Sequence, residues 1–415
     1  MISGRDFVII SSIEWDFLWQ GPQEIASRLA GAGNRVLYIE NTGVRAPRLR
    51  DSRRVLARLA HWAGAFPSNG LRSESPNLSI SSPLCLPPLG KRWRRELNRR
   101  LFLPQVRHAA DNLGLRNPVV MTFLPTDTAL DLIHLVRGDD GVIVYYCAAD
   151  FAELASRPQR IAESERELLS LSDLVLAQCP ILATHCSQWA RNIHIIPYGV
   201  DLEAFTATAD ATAQNNGARK VNARDLPRPV IGYVGGLHRH VDLPLLTAMA
   251  QSRPDWSWVC VGPTQTPLGK LASLPNVHLL GEFRHHELAA QIDSFDVGIV
   301  PYVSSVFTNT VVPTKINEYL AMGKPVVSTA LPAVCDYYHW PEVVLASEPR
   351  HDSFLAAIET ALIWPGDDAT KTRRRNVAKL SDWPVRLDVI CDLIESVTKT
   401  RSSQKERPLS RSASA

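Results

Sequence analysis

Val230-Ile231-Gly232-Tyr233-Val234-Gly235-Gly236 decides how the rest of this chain is read. A short run of β-branched and aromatic residues makes a buried strand, and a glycine pair ends it. Paired glycines permit a tight turn and let the backbone come close to a bound group. Downstream the strand pattern recurs at 258–261, 278–280, 297–300, 325–328 and 343–345, with helices expected at 242–251, 286–292, 315–322 and 352–362. Upstream the same rhythm opens the chain, with strands at 7–10 and 35–39 around a helix at 22–32. Further strands are expected at 119–123, 142–146, 174–177 and 193–196, and a helix at 160–172. Strands that alternate with helices build parallel sheets covered on both faces.

The rhythm breaks once. Residues 206–229 lack apolar periodicity and read as an exposed linker, so two Rossmann-like halves are expected. A length of 415 residues supports that division at about 150 residues per domain. Hydrophobic residues at 45% and charged residues at 21% place the chain among ordinary globular proteins. Its seven cysteines form no Cys-x-x-Cys pair, which argues against a disulfide framework or a structural zinc site and for a reducing compartment. The apolar run 7–13 is too short for a signal peptide, and no stretch reads as a membrane span, so a cytoplasmic location is expected. The net charge of +3 is unevenly placed. Arg45 to Trp62 and Lys91 to Arg100 each carry +5, which leaves −7 on the remainder and speaks against a nucleic-acid binder.

In open α/β sheets ligands sit where strands end and helices begin. The Gly235-Gly236 turn suits a phosphate, although a glycine pair is also an ordinary tight turn. A second turn brings Thr314 and Lys315 to a helix start, and Gly323 ends that helix. A lysine in a first helical turn opposes the helix dipole, which an anion bound there would explain. Glu318, three residues on, lies on the same face and could accept from two ribose hydroxyls. The plainer alternative is an exposed Lys315–Glu318 ion pair. Gly262 and Gly281 follow other strands, in loops that flank a base or are simple βα turns.

The string Pro313-Thr314-Lys315-Ile316-Asn317-Glu318-Tyr319-Leu320-Ala321-Met322-Gly323-Lys324-Pro325-Val326-Val327 resembles the donor-binding helix of GT-B retaining glycosyltransferases of the family 4 grouping. Ile196-Pro197-Tyr198-Gly199-Val200-Asp201 with Phe205 resembles the interdomain segment of that family, and Ile231 to Leu237 its glycine turn. Leu280-Gly281 and Phe295-Asp296-Val297 with Pro301 follow in family order. The opening Trp15 to Ala30 resembles bacterial surface-polysaccharide glycosyltransferases, so the likeness covers most of 7–398.

The resemblance implies an α/β architecture of two Rossmann-like domains facing across a cleft. An acceptor-side domain would occupy 1–200, an interdomain linker 201–229 and a nucleotide-sugar-binding domain 230–378. A C-terminal helix over 379–399 would return to the first domain, followed by a disordered tail over 400–415. It further implies sugar transfer from a nucleotide diphosphate donor to a carbohydrate or lipid-linked glycan acceptor. The configuration would be retained through an oxocarbenium-like transition state, in surface-polysaccharide synthesis. Donor contacts carry over to Gly235, Gly236, Arg239, Gly262, Gly281, Thr314, Lys315 and Glu318. Three positions depart from the family pattern. Thr310 stands where its first glutamate would be, Gly236 where an arginine is usual and Tyr198 where an asparagine is usual. Phosphate neutralisation then falls to Lys315, with Arg239. No Asp-x-Asp triplet occurs, so no metal and no cofactor beyond the nucleotide-sugar co-substrate is expected.

In the first half Asp150 is the candidate to orient or deprotonate an acceptor hydroxyl, or else it caps a helix starting at Phe151. Asp16, Gln20 and Gln23 are candidate acceptor contacts or solvated turn residues, and His185 and Cys186 are assigned no role. The basic segments Arg45 to Trp62 and Lys91 to Leu103 carry amphipathic patterns with tryptophan. They would dock on an anionic membrane surface, or pack their apolar stripes inward and leave the arginines solvated. Two competing readings are a non-hydrolysing nucleotide-sugar epimerase and a non-catalytic paralogue that binds a nucleotide sugar.

Overall fold

The computed structural model describes residues 1–16, 19–40, 71–83, 85, 92–153, 155, 157–206, 223–337, 340 and 342–406. The chain divides into two compact units, one of residues 1–196 with 387–415 and the other of residues 197–386.

The first unit is built on β1 (Asp6–Ile10), β2 (Arg35–Ile39), β3 (Leu71–Ser75), β4 (Leu78–Ser81), β5 (Val119–Thr122), β6 (Ile143–Cys147), β7 (Leu174–Ala177) and β8 (Ile193–Ile195). They lie in the order β3-β4-β2-β1-β5-β6-β7-β8, parallel except for the β3–β4 pair. β6 and β7 are apolar along their whole length, as are β1 after Asp6 and β5 before Thr122, the pattern of strands buried on both faces, and Phe7 to Ile10 and Ile143 to Cys147 are fully buried.

The second unit holds β9 (Val230–Val234), β10 (Ser257–Val261), β11 (Val277–Gly281), β12 (Val297–Val300), β13 (Val326–Thr329) and β14 (Val344–Ser347), all parallel in the order β11-β10-β9-β12-β13-β14. The strand order reverses between β9 and β12. That reversal opens a crevice at their carboxyl ends.

The expected linker is only partly a linker. A helix spans Leu202–Thr206, and Ala223 is buried in the second core. Residues 207–222 lie outside the described ones. The final helix runs Trp383–Glu406, so 400–406 is helical rather than disordered. Its residues from Leu387 onward group with the first unit, where Arg401 Nη1 pairs with Asp173 at 2.5 Å.

Candidate functional site

Three turns meet at the carboxyl ends of β9, β10 and β11. The Gly235 N–H donates to Val261 O at 2.8 Å, and the Gly262 N–H donates to Gly281 O at 2.8 Å. A Cβ at Gly262 would lie 2.2 Å from Gly235 O, and its φ of +141° is a glycine conformation, so no other residue allows this approach. Beside these turns, the segment after β9 pairs with the one after β12 at Val241 and Tyr302.

The helix Thr314–Ala321 is fixed at several points. Its Tyr319 ring lies on Gly298, where a Cβ would sit 2.4 Å from the ring. That approach lets Tyr319 OH accept from the Val234 N–H at 2.8 Å and ties the helix to the end of β9. Overfilling such a contact costs typically 1–3 kcal/mol. At the other end Gly323, with φ +71°, and Lys324 close a Schellman turn, their N–H groups donating to Leu320 O and Tyr319 O at 2.9 Å each. Buried Arg374 adds a bond to Gly323 O at 3.1 Å. No side chain caps the amino end. The Ile316 N–H donates to Pro313 O at 3.1 Å, and the N–H groups of Thr314 and Lys315 remain available to an anion.

Lys315 stands in that first turn. Its Nζ donates to Tyr302 OH at 2.6 Å and lies 4.9 Å and 5.4 Å from the Tyr302 and Tyr233 ring centres. The same Nζ is 3.4 Å from where a Gly235 Cβ would be, so the glycine leaves the ammonium open to the turn. Tyr233 OH donates to Gly236 O at 3.0 Å and holds the second glycine of the pair.

Glu318 is half-buried, and its side chain makes no hydrogen bond or ion pair with a described residue. The alternative Lys315–Glu318 ion pair does not form, because Lys315 turns to a phenol instead. Burial raises the Glu318 carboxyl above its ordinary range, against the opposing charges of His285 and Lys315. His238 packs 6.1 Å from the Tyr302 ring and is pushed down to about 4, chiefly by burial and then by Lys315. It is neutral at pH 7, so Nδ1 can accept from the His240 N–H at 3.2 Å. The arrangement offers an ammonium, uncapped N–H groups and an open carboxylate, suited to a diphosphate joined to a polyol.

The other candidates scatter. Thr314 is the first residue of the helix, half-buried. Arg239 is exposed and donates to His240 Nε2 at 3.1 Å. Thr310 is buried, with its hydroxyl on Phe307 O at 2.8 Å. A Cβ at Gly236 would meet the Gln265 amide at 2.9 Å. In the first unit Asp150 Oδ1 accepts from the Ala152 N–H at 3.0 Å within a turn, and the next helix starts only at Pro158, so Asp150 caps no helix from Phe151. Asp16 pairs with Arg72 at 2.8 Å. Gln20 is exposed at the helix start, and the Gln20 N–H donates to Gln23 Oε1 at 3.0 Å. Gln23 is fully buried, and its amide also donates to Glu14 O and Trp15 O, so it is committed to this loop rather than turned to an acceptor. Tyr302, Tyr233 and His238 join the site through packing and are not among the residues that the sequence pattern singles out. Only the place of Tyr302 directly after Pro301 at a strand end hinted at it.

Arg45 to Trp62 lies outside the described residues. In the second basic segment a helix over Arg92–Leu97 runs on as a π-turn over Asn98–Phe102. Trp93 and Leu101 are 56% and 64% exposed, so the apolar stripe is not packed inward as a whole. Arg95 is not free for a surface, since it binds Asp131 in bidentate fashion at 2.8 and 2.9 Å. Among the described residues no group of three or more metal-ligating side chains assembles, and no helix is long and apolar enough to cross a membrane.

Residues 228–363 match the model of the family described as glycosyl transferases group 1. The chain is 29% identical over 261 residues to TuaH of Bacillus subtilis, a protein named for a proposed glycosyltransferase role in teichuronic acid biosynthesis. That match takes in 58% of this chain and 64% of TuaH. A GDP-mannose-dependent alpha-mannosyltransferase of Mycolicibacterium smegmatis is 30% identical over 136 residues, a third of each chain. The matches thus span under two thirds of either relative. Among solved structures, a sucrose-phosphate synthase from Thermosynechococcus elongatus aligns with a TM-score of 0.69 at 17% identity, covering 95% of this chain and all of that one. The Anabaena protein HepE, solved in complex with UDP, aligns with a TM-score of 0.64 at 14% identity, covering 94% and 100%. The fold is therefore that of GT-B glycosyltransferase structures, with two Rossmann-like domains.

Proposed function

We propose that this chain is a glycosyltransferase that takes a sugar from a nucleoside diphosphate donor and passes it to a carbohydrate or lipid-linked glycan in cell-surface polysaccharide synthesis. One observation carries the reading. The Lys315 ammonium, held by Tyr302 OH at 2.6 Å, faces Gly235 at the strand-order reversal, with the open Glu318 carboxylate one turn away. A nucleotide bound there would set its diphosphate on Lys315 and the helix start, and its ribose on Glu318.

Bond cleavage leaves negative charge on the diphosphate, and groups already aimed at that charge lower the barrier most. Lys315 serves this role with the uncapped N–H groups, and no metal is needed. The configuration is retained, with Asp150 in the first unit receiving or orienting the acceptor hydroxyl. The kinship of TuaH with teichuronic acid synthesis supports a surface glycan as the product class. Exposed Trp93 and Leu101, with Arg94 and Arg99, would rest on an anionic membrane surface carrying a lipid-linked acceptor, while Arg100 is paired with Glu96 at 2.5 Å.

Calorimetry with a panel of nucleoside diphosphates tests the first step. Micromolar binding of one of them, weakened by Lys315→Ala, is expected. Equal binding by wild type and variant would remove the donor from this crevice. Sugar transfer in excess EDTA should persist, and loss restored by magnesium would overturn the metal-free scheme.

A further inference from the structure

The first sheet carries a second concavity, on the edge away from its carboxyl ends. A cavity of about 620 Å³ opens where β1, β2, β5 and β6 begin, against Asp6, Arg35, Val119 and Val142. Its far wall is the last helix, through Thr398, Arg401 and Ser402. Substrates of open α/β sheets enter at the carboxyl ends, so this cavity lies outside the crevice used by such reactions. Its volume lies in the range of about 300–1,000 Å³ usual for small-molecule sites.

The charges are specific. Four arginines line it (Arg5, Arg35, Arg116 and Arg401) against the acids Asp6 and Asp140. Asp6 is already matched, by Arg35 at 2.8 and 2.9 Å and by the Arg116 N–H at 2.7 Å. Arg401 is held by Asp173. The guanidinium groups of Arg5 and Arg116 have no acceptor among the described residues. Two unpaired planar forks of donors suit the oxygens of a phosphate, which guanidinium binds in bidentate fashion. The cavity is too large for a bare phosphate, and the hydroxyl oxygens of Thr398 and Ser402 on its wall can accept from a polyol.

We propose that this cavity binds a phosphate-bearing polar small molecule, of the size of a sugar phosphate, through Arg5 and Arg116. The ligand would tie the last helix to the amino edge of the first sheet.

The test is calorimetry on the full chain at constant ionic strength, with pyrophosphate, glucose 1-phosphate and glucose as probes. Wild type and Lys315→Ala should both bind the two phosphate-bearing probes saturably, and glucose should not bind. Arg5→Gln/Arg116→Gln should weaken that binding at least tenfold while leaving nucleoside diphosphate affinity unchanged. The single Arg116→Gln change, at an exposed side chain, gives a partial loss and guards against misfolding of the double variant. Two results would overturn the proposal. One is no saturable binding to wild type. The other is binding lost in Lys315→Ala and kept in the double variant, which would put the anion in the donor crevice. Neither touches the glycosyltransferase reading, which stands on the nucleotide experiment.

Discussion

The carboxyl ends of the two sheets are prepared differently. In the second unit β9, β12, the glycine turns and the helix Thr314–Ala321 bring an ammonium and an unpartnered carboxylate to one place. In the first unit the expected polar residues are largely engaged with the protein itself. Gln23 is buried against loop carbonyls, Asp16 binds Arg72, and one Asp150 oxygen closes a turn. A polar group already satisfied by the fold contributes stability, whereas one left open in a half-buried place loses stability that a ligand can restore. The difference teaches where to look for function: among the groups that the fold leaves unsatisfied.

The sharpest break of this comparison is Lys315→Ala. Removing one donor aimed at developing charge costs on the order of 10²–10³ in kcat. Donor affinity should fall much less, because the charge grows as the glycosidic bond breaks. Single-turnover and binding measurements together separate the two, and equal losses would reduce Lys315 to ground-state binding.

Glu318→Gln comes next. A hydrogen bond to a charged group contributes roughly 1.5–3 kcal/mol, so donor affinity should drop about tenfold or more. Burial raises the Glu318 carboxyl, so the native state takes up this proton at a higher pH than the unfolded chain. Two consequences follow. Wild-type donor affinity should decline with falling pH somewhat above the ordinary glutamate value of about 4.3, while the variant stays flat. At neutral pH the ligand-free variant should melt no lower than wild type, since a buried charge is gone. In the first unit Gln23→Ala should do the reverse. It strands buried loop carbonyls and should cost about 1–3 kcal/mol of stability with donor affinity unchanged.

Most of both sheets could be read from the sequence because parallel strands buried on two faces are plain apolar runs. Strands 35–39, 174–177, 230–234 and 297–300 were placed to the residue. The pair β3 and β4 was not seen, since Leu71-Arg72-Ser73-Glu74-Ser75 is half solvated and Leu78-Ser79-Ile80-Ser81 is short and rich in serine. The helices Asp127–Val136 and Asp368–Lys379 also lie outside the sequence reading, although Gly138, at φ +68°, directly follows the cap of the first. Of the site, Gly235, Gly262 and Lys315 could be read because a turn and a first helical turn are local features. Tyr302 and His238 could not, because the Lys315–Tyr302 bond reaches across 13 residues and the burial of His238 is set by tertiary packing.

Tyr302→Phe sharpens the comparison at smaller scale. It keeps the ring beside Lys315 and removes the oxygen that accepts from it, a loss of about 1 kcal/mol, so kcat should fall roughly fivefold. Donor affinity should move less than kcat. An unchanged kcat would mean that the helix alone positions the lysine.

The smallest effects at pH 7 should come from two histidines, one in each unit, whose environments have opposite signs. His238 is pushed down to about 4, first by burial and then by Lys315. The unfolded chain takes a proton near 6.5 that the native state refuses, so stability is fully present above that pH and is lost as the pH falls toward 4. His185 has its Nε2 3.1 Å from Glu165 Oε2, and that bond raises it above the ordinary value. Its contribution is present below about 6.5 and is lost as the pH rises through the raised value. Melting curves between pH 4 and 8 read both. His238→Gln should flatten the acid-side fall in Tm, while His185→Gln should deepen it, with little change for either at neutral pH. A His238 variant that follows the wild-type curve would show that its ring titrates freely, and that the crevice around Lys315 is wetter than its packing implies.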